Sequence, residues 1–323
     1  MEIQLSNRVQ EVLGIQYPIV QAAMNWITDA NFVASVSNAG GMGVIGPNAG
    51  PVEDTDLSST GKLRNEIRKI KDLTDKPFAL NTFFPPDGDV ETENYSLKLL
   101  NVAFEEGVKY FVAVGSINKR LIKAIKNQGA ILIVRELTPT VEGAKLAESL
   151  GADILIATGY DEGGWIPQKA IGTFSIVSTI VDAVNIPVLA TGGINDIRAV
   201  RAAFALGAEG VYVGTRFIVS EECPAADETK QDIIKSTGTD LILVSNTQRS
   251  TPNHFAKTLE KMRQNGSTSD EIDSLIAQSG GLLPGMRKGN SHEGIVSVNT
   301  AIDRIKEIKS VQQIVDELMK DFK

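Results

Sequence analysis

Short apolar runs alternate with amphipathic segments along the first two thirds of the chain. Each run is rich in aliphatic, β-branched or aromatic residues, as in parallel strands that are buried on both faces. Eight runs are therefore predicted to be strands: residues 18–22, 43–46, 78–82, 110–114, 130–134, 153–157, 187–191 and 210–214. Eight strands that alternate with helices favour an α/β fold of the (β/α)8 type, a TIM barrel. A doubly wound open sheet is the alternative.

Single glycines mark the ends of several predicted helices. Gly107, Gly129 and Gly151 are spaced by 22 residues, and an apolar run follows each of them closely. A helix that ends at a glycine and leads directly into a strand is typical of a repeating αβ unit. Right-handed crossovers bring the C-terminal ends of all such strands to one face of the sheet. We therefore expect the functional residues at that face.

The pattern divides the chain into three parts. Residues 1–222 carry the eight strands and are predicted to form the barrel. Residues 223–296 are polar and helical in character, with no further strand, and end in a glycine-rich return loop. We interpret them as a lid over the strand C-terminal face, with a peripheral helical decoration as the alternative. Residues 297–323 are predicted to be a closing helix that packs back on the barrel.

The last two predicted strands each run into a turn that contains glycine. Gly192 and Gly193 follow strand seven, and Gly214 and Thr215 follow strand eight. Backbone amides without bulky side chains form a good cradle for phosphate, and TIM barrels usually hold a cofactor phosphate at these two loops. The helix between these strands is predicted to be capped by Asn195 or Asp196.

Other strand ends carry polar or soft side chains. Ala22 and Met24 follow strand one, where small and soft residues suit a planar ring, although Met24 can equally pack under the lid. Asn81 ends strand three in an otherwise apolar run and is expected to contact a ligand. Glu136 follows Arg135 at the end of strand five, and one of the two must point to the barrel mouth. Glu136 is predicted to bind the ligand, with a surface ion pair as the alternative.

Proton-handling groups occur in two loops. The loop after strand six contains Tyr160, Asp161 and Glu162, and we expect at most one of the adjacent carboxyl groups to face the site. Tyr160 at its ordinary pKa is an acid rather than a base. His292 in the return loop is a second proton-transfer candidate, with a solvated surface histidine as the alternative.

Composition excludes several classes of function. The formal charge of −8 disfavours a nucleic-acid partner, and only one cysteine, Cys223, and two histidines are present. A disulfide framework and a zinc site are therefore not expected. No signal peptide or membrane-length apolar run is apparent, so the expectation is a cytoplasmic protein that acts on a small-molecule substrate. The oligomeric state is open, and a homodimer is one possibility.

Six segments together resemble a known family. In chain order they are PIVQAAMNW, SNAGGMGVIG, FALNTFFP, ADILIATGYDEGGW, PVLATGGI and EGVYVGTRF. They are similar to the nitronate monooxygenases, formerly 2-nitropropane dioxygenases, and equally to the related FMN-dependent enoyl-ACP reductase of bacteria. The resemblance implies bound FMN, with its phosphate at Gly192, Gly193, Gly214 and Thr215. It also implies that Ala22, Met24 and Asn81 line the ring or ribityl chain, and that Gly163 and Gly164 pass near the ring.

One position departs from the family pattern. Relatives read EAGGH where this chain reads Asp161-Glu162-Gly163-Gly164-Trp165, so Trp165 replaces the histidine that faces the flavin. Tryptophan cannot accept a proton, so Trp165 is not a catalytic base. Together with the two proton-transfer candidates, Tyr160 and His292, it completes the set of predicted catalytic residues. The resemblance then implies oxidation of small anionic nitronates with O2. The alternative is reduction of an activated C=C bond or a quinone, with NADH or NADPH as electron donor. A sensor without activity, or a flavin-free phosphate-binding barrel, is a third hypothesis.

Overall fold

The computed structural model describes residues 7–46, 48–52 and 57–322. Its main element is a sheet of eight strands that pair only in parallel. The predicted strands are all present, and their observed ends lie within two residues of the predicted ones. The strands are β1 (Ile19–Gln21), β2 (Gly43–Ile45), β3 (Phe78–Phe84), β4 (Tyr110–Gly115), β5 (Ile131–Glu136), β6 (Ile154–Thr158), β7 (Val188–Thr191) and β8 (Gly210–Val213).

The sheet closes on itself. The strand order is β1-β8-β7-β6-β5-β4-β3-β2, and a parallel bridge between Val20 and Met42 joins β1 to β2. Ile19 pairs with Val211, so the first strand lies directly beside the last. The predicted TIM barrel is therefore confirmed, and the open sheet is excluded.

Helices lie between the strands around the barrel. The helix between β7 and β8 begins after Asp196, whose carboxylate accepts from the N–H groups of Arg198 and Ala199. Asp196 is thus the cap, while Asn195 has a different role described below. Helix α1 (Arg8–Leu13) precedes β1, and its Val9 and Leu13 pack with the side chains inside the barrel. The helices of the surrounding layer are α2 (Ala30–Asn38), α3 (Ser59–Leu73), α4 (Val90–Glu105), α5 (Lys119–Lys126), α6 (Val141–Ser149), α7 (Thr173–Val181) and α8 (Ile197–Ala205).

The core has two layers that share the strands. Side chains such as Val44, Val112 and Ile133 fill the inside of the barrel. Alternate residues of the same strands, such as Leu80 and Leu132, pack outward against the helices. This alternation follows from the two-residue period of a strand, and it decides which strand-end side chains reach the barrel mouth.

The segment after β8 differs from the prediction in one respect. It contains α9 (Thr215–Ile218), α10 (Asp227–Lys235), α11 (His254–Gln264) and α12 (Ser269–Gln278), as expected for a helical part. It also contains an antiparallel ribbon of β9 (Ile242–Leu243) and β10 (Arg249–Ser250). The expectation of no further strand is therefore wrong. The pairing is only two residues long on each side, too short to leave a recognisable apolar pattern.

The end of the chain is not one continuous helix. Residues 295–301 are irregular, and a short 3-10 helix (Ile302–Arg304) precedes α13 (Val311–Leu318). The helix begins only after Ser310, its N-cap, which forms a capping box with Gln313. In the part of the chain that the structure describes, no helix is long and apolar enough to cross a membrane.

Candidate active site

A cavity of about 500 Å³ opens at the C-terminal ends of the strands. Its size falls within the roughly 300–1,000 Å³ that is typical of small-molecule sites. The helical segment after β8 contributes Leu282 and Met286, and the irregular segment near the C-terminus contributes Ser297 and Asn299. Ten of the predicted site residues line this cavity: Ala22, Met24, Asn81, Gly163, Gly164, Trp165, Gly192, Gly193, Gly214 and Thr215.

The turns after β7 and β8 present bare backbone to the cavity. In the described part of the chain, the N–H groups of Gly193, Gly214 and Thr215 donate to no protein acceptor. Gly193 has a φ of +72°, a conformation that suits glycine. A Cβ at Gly214 would lie 3.4 Å from the Ala22 side chain and 3.8 Å from the sulfur of Met24. These groups form a concave surface of hydrogen-bond donors that suits an anionic group.

The irregular segment at residues 295–301, called the return segment below, is hydrogen-bonded to the turns after β7 and β8. The Thr215 hydroxyl accepts from the N–H of Asn299 at 3.0 Å. The side-chain amides of Asn195 and Asn299 exchange two hydrogen bonds of 2.8 and 2.9 Å, although 104 residues separate them in sequence. Both amides are buried, so this pair fixes the return segment against the ends of β7 and β8.

Gly163 and Gly164 allow the same segment to approach the loop after β6. A Cβ at Gly163 would lie 2.5 Å from the carbonyl carbon of Val298, so only glycine fits there. The N–H of Gly164 donates to the hydroxyl of Ser297 at 2.8 Å. Gly163 is therefore required for packing against the return segment as well as lining the cavity.

The mouth of the cavity is apolar and aromatic. Trp165 is 47% exposed and Phe83 is 51% exposed, and both line the opening. Leu137 and Met24 extend this wall inward. Large exposed apolar side chains around an opening favour contact with an apolar part of a ligand.

A buried ion pair lies in the wall of the cavity. The guanidinium of Arg135, at the end of β5, pairs with the carboxylate of Glu162 and donates to Thr158 Oγ1 at 3.3 Å. Both side chains line the cavity and are less than 10% exposed. Burial raises the pKa of Glu162 to about 7, although the nearby charges of Arg135 and Arg249 act in the opposite direction.

Arg249 of the ribbon holds the loop that carries Glu162. Its guanidinium donates to the backbone oxygens of Glu162 and Tyr160, each at 3.0 Å, and lies 5.2 Å from the centre of the Tyr160 ring. Burial lowers the pKa of Arg249 from its usual range. The ribbon thus positions the loop after β6, which explains its place beside the barrel mouth.

Three predicted site residues lie outside the cavity lining. Glu136 accepts from the N–H of Thr140 and packs against Gly143, on the helix side of β5. Tyr160 lies under Arg249. His292 stacks on His254 at 4.2 Å between ring centres, in an exposed part of the return loop. The structure therefore corrects the placement of Glu136, Tyr160 and His292.

Three polar side chains that line the cavity were either left open by the sequence or not indicated by it: Arg135, Glu162 and Tyr212. At the end of β5, Arg135 faces the cavity and Glu136 does not, because Ile133 points into the barrel and the two-residue period places Arg135 on the same side. Glu162 was one of two adjacent carboxyl groups, and Asp161 instead bonds Thr173. Tyr212 of β8 points inward, and its hydroxyl accepts from the N–H of Ala23 at 3.2 Å. Burial raises the pKa of Tyr212.

The remaining candidates for metal or thiol chemistry are the acidic, histidine and cysteine side chains. Among the described residues, no group of three or more His, Cys, Asp or Glu side chains is arranged to hold a metal ion. Cys223 is buried outside the cavity lining, and burial raises the pKa of its thiol to about 12. A thiol with so high a pKa is a poor nucleophile.

The fold and the site together define a TIM barrel with a ligand cavity at the usual active-site face. Comparison with known proteins shows the family to which the chain belongs. The family model described as nitronate monooxygenase matches residues 6–321. A probable nitronate monooxygenase of Staphylococcus haemolyticus (strain JCSC1435) is 34% identical, over 80% of this chain and 82% of the relative. One from Staphylococcus saprophyticus is 36% identical, over 75% and 76% of the two chains.

Solved structures agree with this assignment. The structure of FabK from Thermotoga maritima superposes with a TM-score of 0.84 at 31% identity, and covers 99% of this chain and 96% of that one. A nitroalkane oxidase from Streptomyces ansochromogenes has a TM-score of 0.77 at 21% identity, over 98% of both chains, which shows a shared fold. The chain belongs to the nitronate monooxygenase family and is an oxidoreductase.

Proposed function

We propose that the protein binds FMN in the barrel-mouth cavity and oxidises small nitronates with O2. One observation carries the proposal. In the described part of the chain, the N–H groups of Gly193, Gly214 and Thr215 donate to no protein acceptor, and they lie beside a cavity of about 500 Å³. A phosphate accepts from such groups without displacing any existing hydrogen bond. Membership of the nitronate monooxygenase family supports the choice of flavin and substrate.

The residues around the cavity fit a flavin mononucleotide. Gly192, Gly193, Gly214 and Thr215 would hold the phosphate, and the return segment at Asn299 would keep these turns in place. Ala22, Met24 and Asn81 would contact the ribityl chain or the ring system, because they line the cavity from β1 and β3. FMN when bound accepts electrons from the substrate and returns them to O2.

The side chains suit a substrate that is already an anion. Trp165 lines the cavity at the position where the family pattern implies a histidine, and an indole cannot accept a proton. A nitronate has lost its proton before it binds, so its oxidation needs no base at this position. The aromatic mouth formed by Trp165 and Phe83 suits a small alkyl substituent.

A second candidate function is the reduction of an activated C=C bond or a quinone, with NADH or NADPH as donor. Glu162 favours it, because a carboxyl group with a pKa of about 7 holds a proton beside the cavity at neutral pH. Reduction of a carbon–carbon double bond requires such a proton donor. The overlap with FabK over 99% of this chain also favours it.

The cradle can be tested with Gly214→Asp. A Cβ there makes only ordinary contacts, so the fold should tolerate the change, while the carboxylate repels a phosphate. We expect the purified variant to lose bound flavin, measured from the visible spectrum and by release of FMN on denaturation. Gly61→Asp in helix α3 adds the same charge away from the cavity and should keep its flavin. Full flavin content in Gly214→Asp would contradict the assignment.

A further inference from the structure

The guanidinium group of Arg135 lines the cavity and, among the residues that the structure describes, keeps one hydrogen-bond donor, Nη1, unused. Its Nε donates to Thr158 and its Nη2 to Glu162. Within the described residues, Nη1 has no acceptor, and the side chain lines the cavity. A guanidinium group offers two parallel donors that match a planar oxyanion. In the present arrangement Glu162 occupies one of those donors.

The charged and titratable groups around Glu162 come from three other elements. Arg135 approaches from β5, Arg249 from β10, and Tyr212 from β8. Burial raises the pKa of Glu162 to about 7 despite both cations. Above this pH the Arg135–Glu162 pair is neutral, and below it the pair carries one net positive charge. The wall of the cavity therefore becomes attractive to anions when Glu162 gains a proton.

We propose that Arg135 is an anion-binding subsite of the cavity, open to a small planar oxyanion when Glu162 takes up one proton from solvent. The oxyanion replaces the Glu162 carboxylate as the partner of the guanidinium, and the proton neutralises the displaced carboxylate. Charge is thereby conserved inside the cavity. The choice of a nitronate as the physiological oxyanion rests on the proposed function, whereas the subsite itself rests on Arg135 and Glu162.

The subsite makes substrate affinity depend on pH. The apparent dissociation constant equals the intrinsic constant divided by the fraction of protein in which Glu162 is protonated. With a pKa of about 7, that fraction falls from about one half at pH 7 to about one hundredth at pH 9. Affinity for an oxyanion should therefore fall about 50-fold over this range.

Nitrate is a suitable probe, because it is planar, carries the charge on oxygen and is not oxidised. We suggest titration calorimetry of the flavin-loaded protein at fixed ionic strength, at pH 7, 8 and 9. Each titration is run in two buffers of different ionisation enthalpy, so that proton uptake is measured directly. We expect uptake of about 0.9 proton per nitrate at pH 8, because Glu162 is about nine-tenths ionised there.

Two variants distinguish the role of Glu162 from that of Arg135. Glu162→Gln should bind nitrate without proton uptake and with the same affinity at all three pH values. Arg135→Lys keeps the charge but loses the planar fork, so we expect nitrate affinity to fall about tenfold. Glu142→Gln, an exposed carboxyl on α6, is the matched control and should behave as the wild type. Circular dichroism checks that each variant is folded.

Nitrate binding that is absent at every pH, or that proceeds without proton uptake, would overturn the proposal. So would unchanged proton uptake in Glu162→Gln. These outcomes are distinct from a failure of the proposed function, which would show as a protein without flavin or without nitronate turnover. In that case the same titration on the flavin-free protein still reports on Arg135 and Glu162.

Discussion

Glu162→Gln should change how the stability of the protein depends on pH. The raised pKa means that the folded protein holds a proton that the unfolded chain releases between about pH 4.5 and pH 7. The stability that Glu162 contributes by holding this proton is complete below about pH 4.5. It is lost progressively as the pH rises through 7. Glutamine cannot ionise, so the variant escapes this loss.

The magnitude follows from the shift in pKa. A rise from 4.5 to about 7, at about 1.4 kcal/mol per pKa unit, corresponds to about 3 kcal/mol. The free energy of unfolding of Glu162→Gln, relative to the wild type, should therefore increase by about 3 kcal/mol between pH 4.5 and pH 8. Contacts that differ between the two side chains at all pH values cancel in this comparison.

Urea denaturation of the wild type and the variant, from pH 4.5 to pH 8.5, measures this difference. Other groups titrate in the same range, but they do so equally in both proteins. Glu91→Gln, at an exposed carboxyl in the first turn of α4, should show a flat difference. The opposite slope, with the variant losing stability relative to the wild type as the pH rises, would refute the reasoning. It would mean that attraction to Arg135 outweighs the cost of burying the carboxylate.

Two further predictions concern the cavity and its border. Trp165→His places a proton acceptor at the mouth, so turnover of a neutral nitroalkane relative to its nitronate should rise about tenfold above pH 7; an unchanged ratio in an oxygen-consumption assay would argue that this side chain does not reach the substrate. Glu136→Gln should retain its flavin, because Glu136 faces Thr140 on the helix side of β5; loss of flavin from a folded variant would return this residue to the binding site.

The barrel could be predicted from the sequence because its signals are local. Most strand residues are buried whichever face they are on, so a run such as 154–157 is apolar throughout and stands out from the helices around it. Only the ends differ. The strand predicted at 78–82 continues to Phe84, because Phe83 and Phe84 still pair with Val114 and Gly115 of β4.

The cradle could also be predicted, because glycines after β7 and β8 leave a pattern in the sequence. The ion pair of Arg135 and Glu162 could not be predicted from the sequence. Whether Arg135 or Glu136 faces the cavity depends on which alternate residues of β5 point into the barrel. The partner of Arg135, moreover, lies 27 residues further along the chain. The closing helix was overpredicted for a similar reason. Asn299 is held by Asn195, 104 residues away in the sequence, and no local pattern indicates such a contact.

Anaerobic reduction of the bound flavin tests the central claim most directly. The purified protein is mixed without oxygen with a small nitronate, or with NADH or NADPH, and the visible absorption of the flavin is followed. The account predicts a yellow protein whose flavin is bleached rapidly by the nitronate and recovers its colour when O2 is admitted. A colourless protein, or bleaching by a pyridine nucleotide but not by a nitronate, would contradict it.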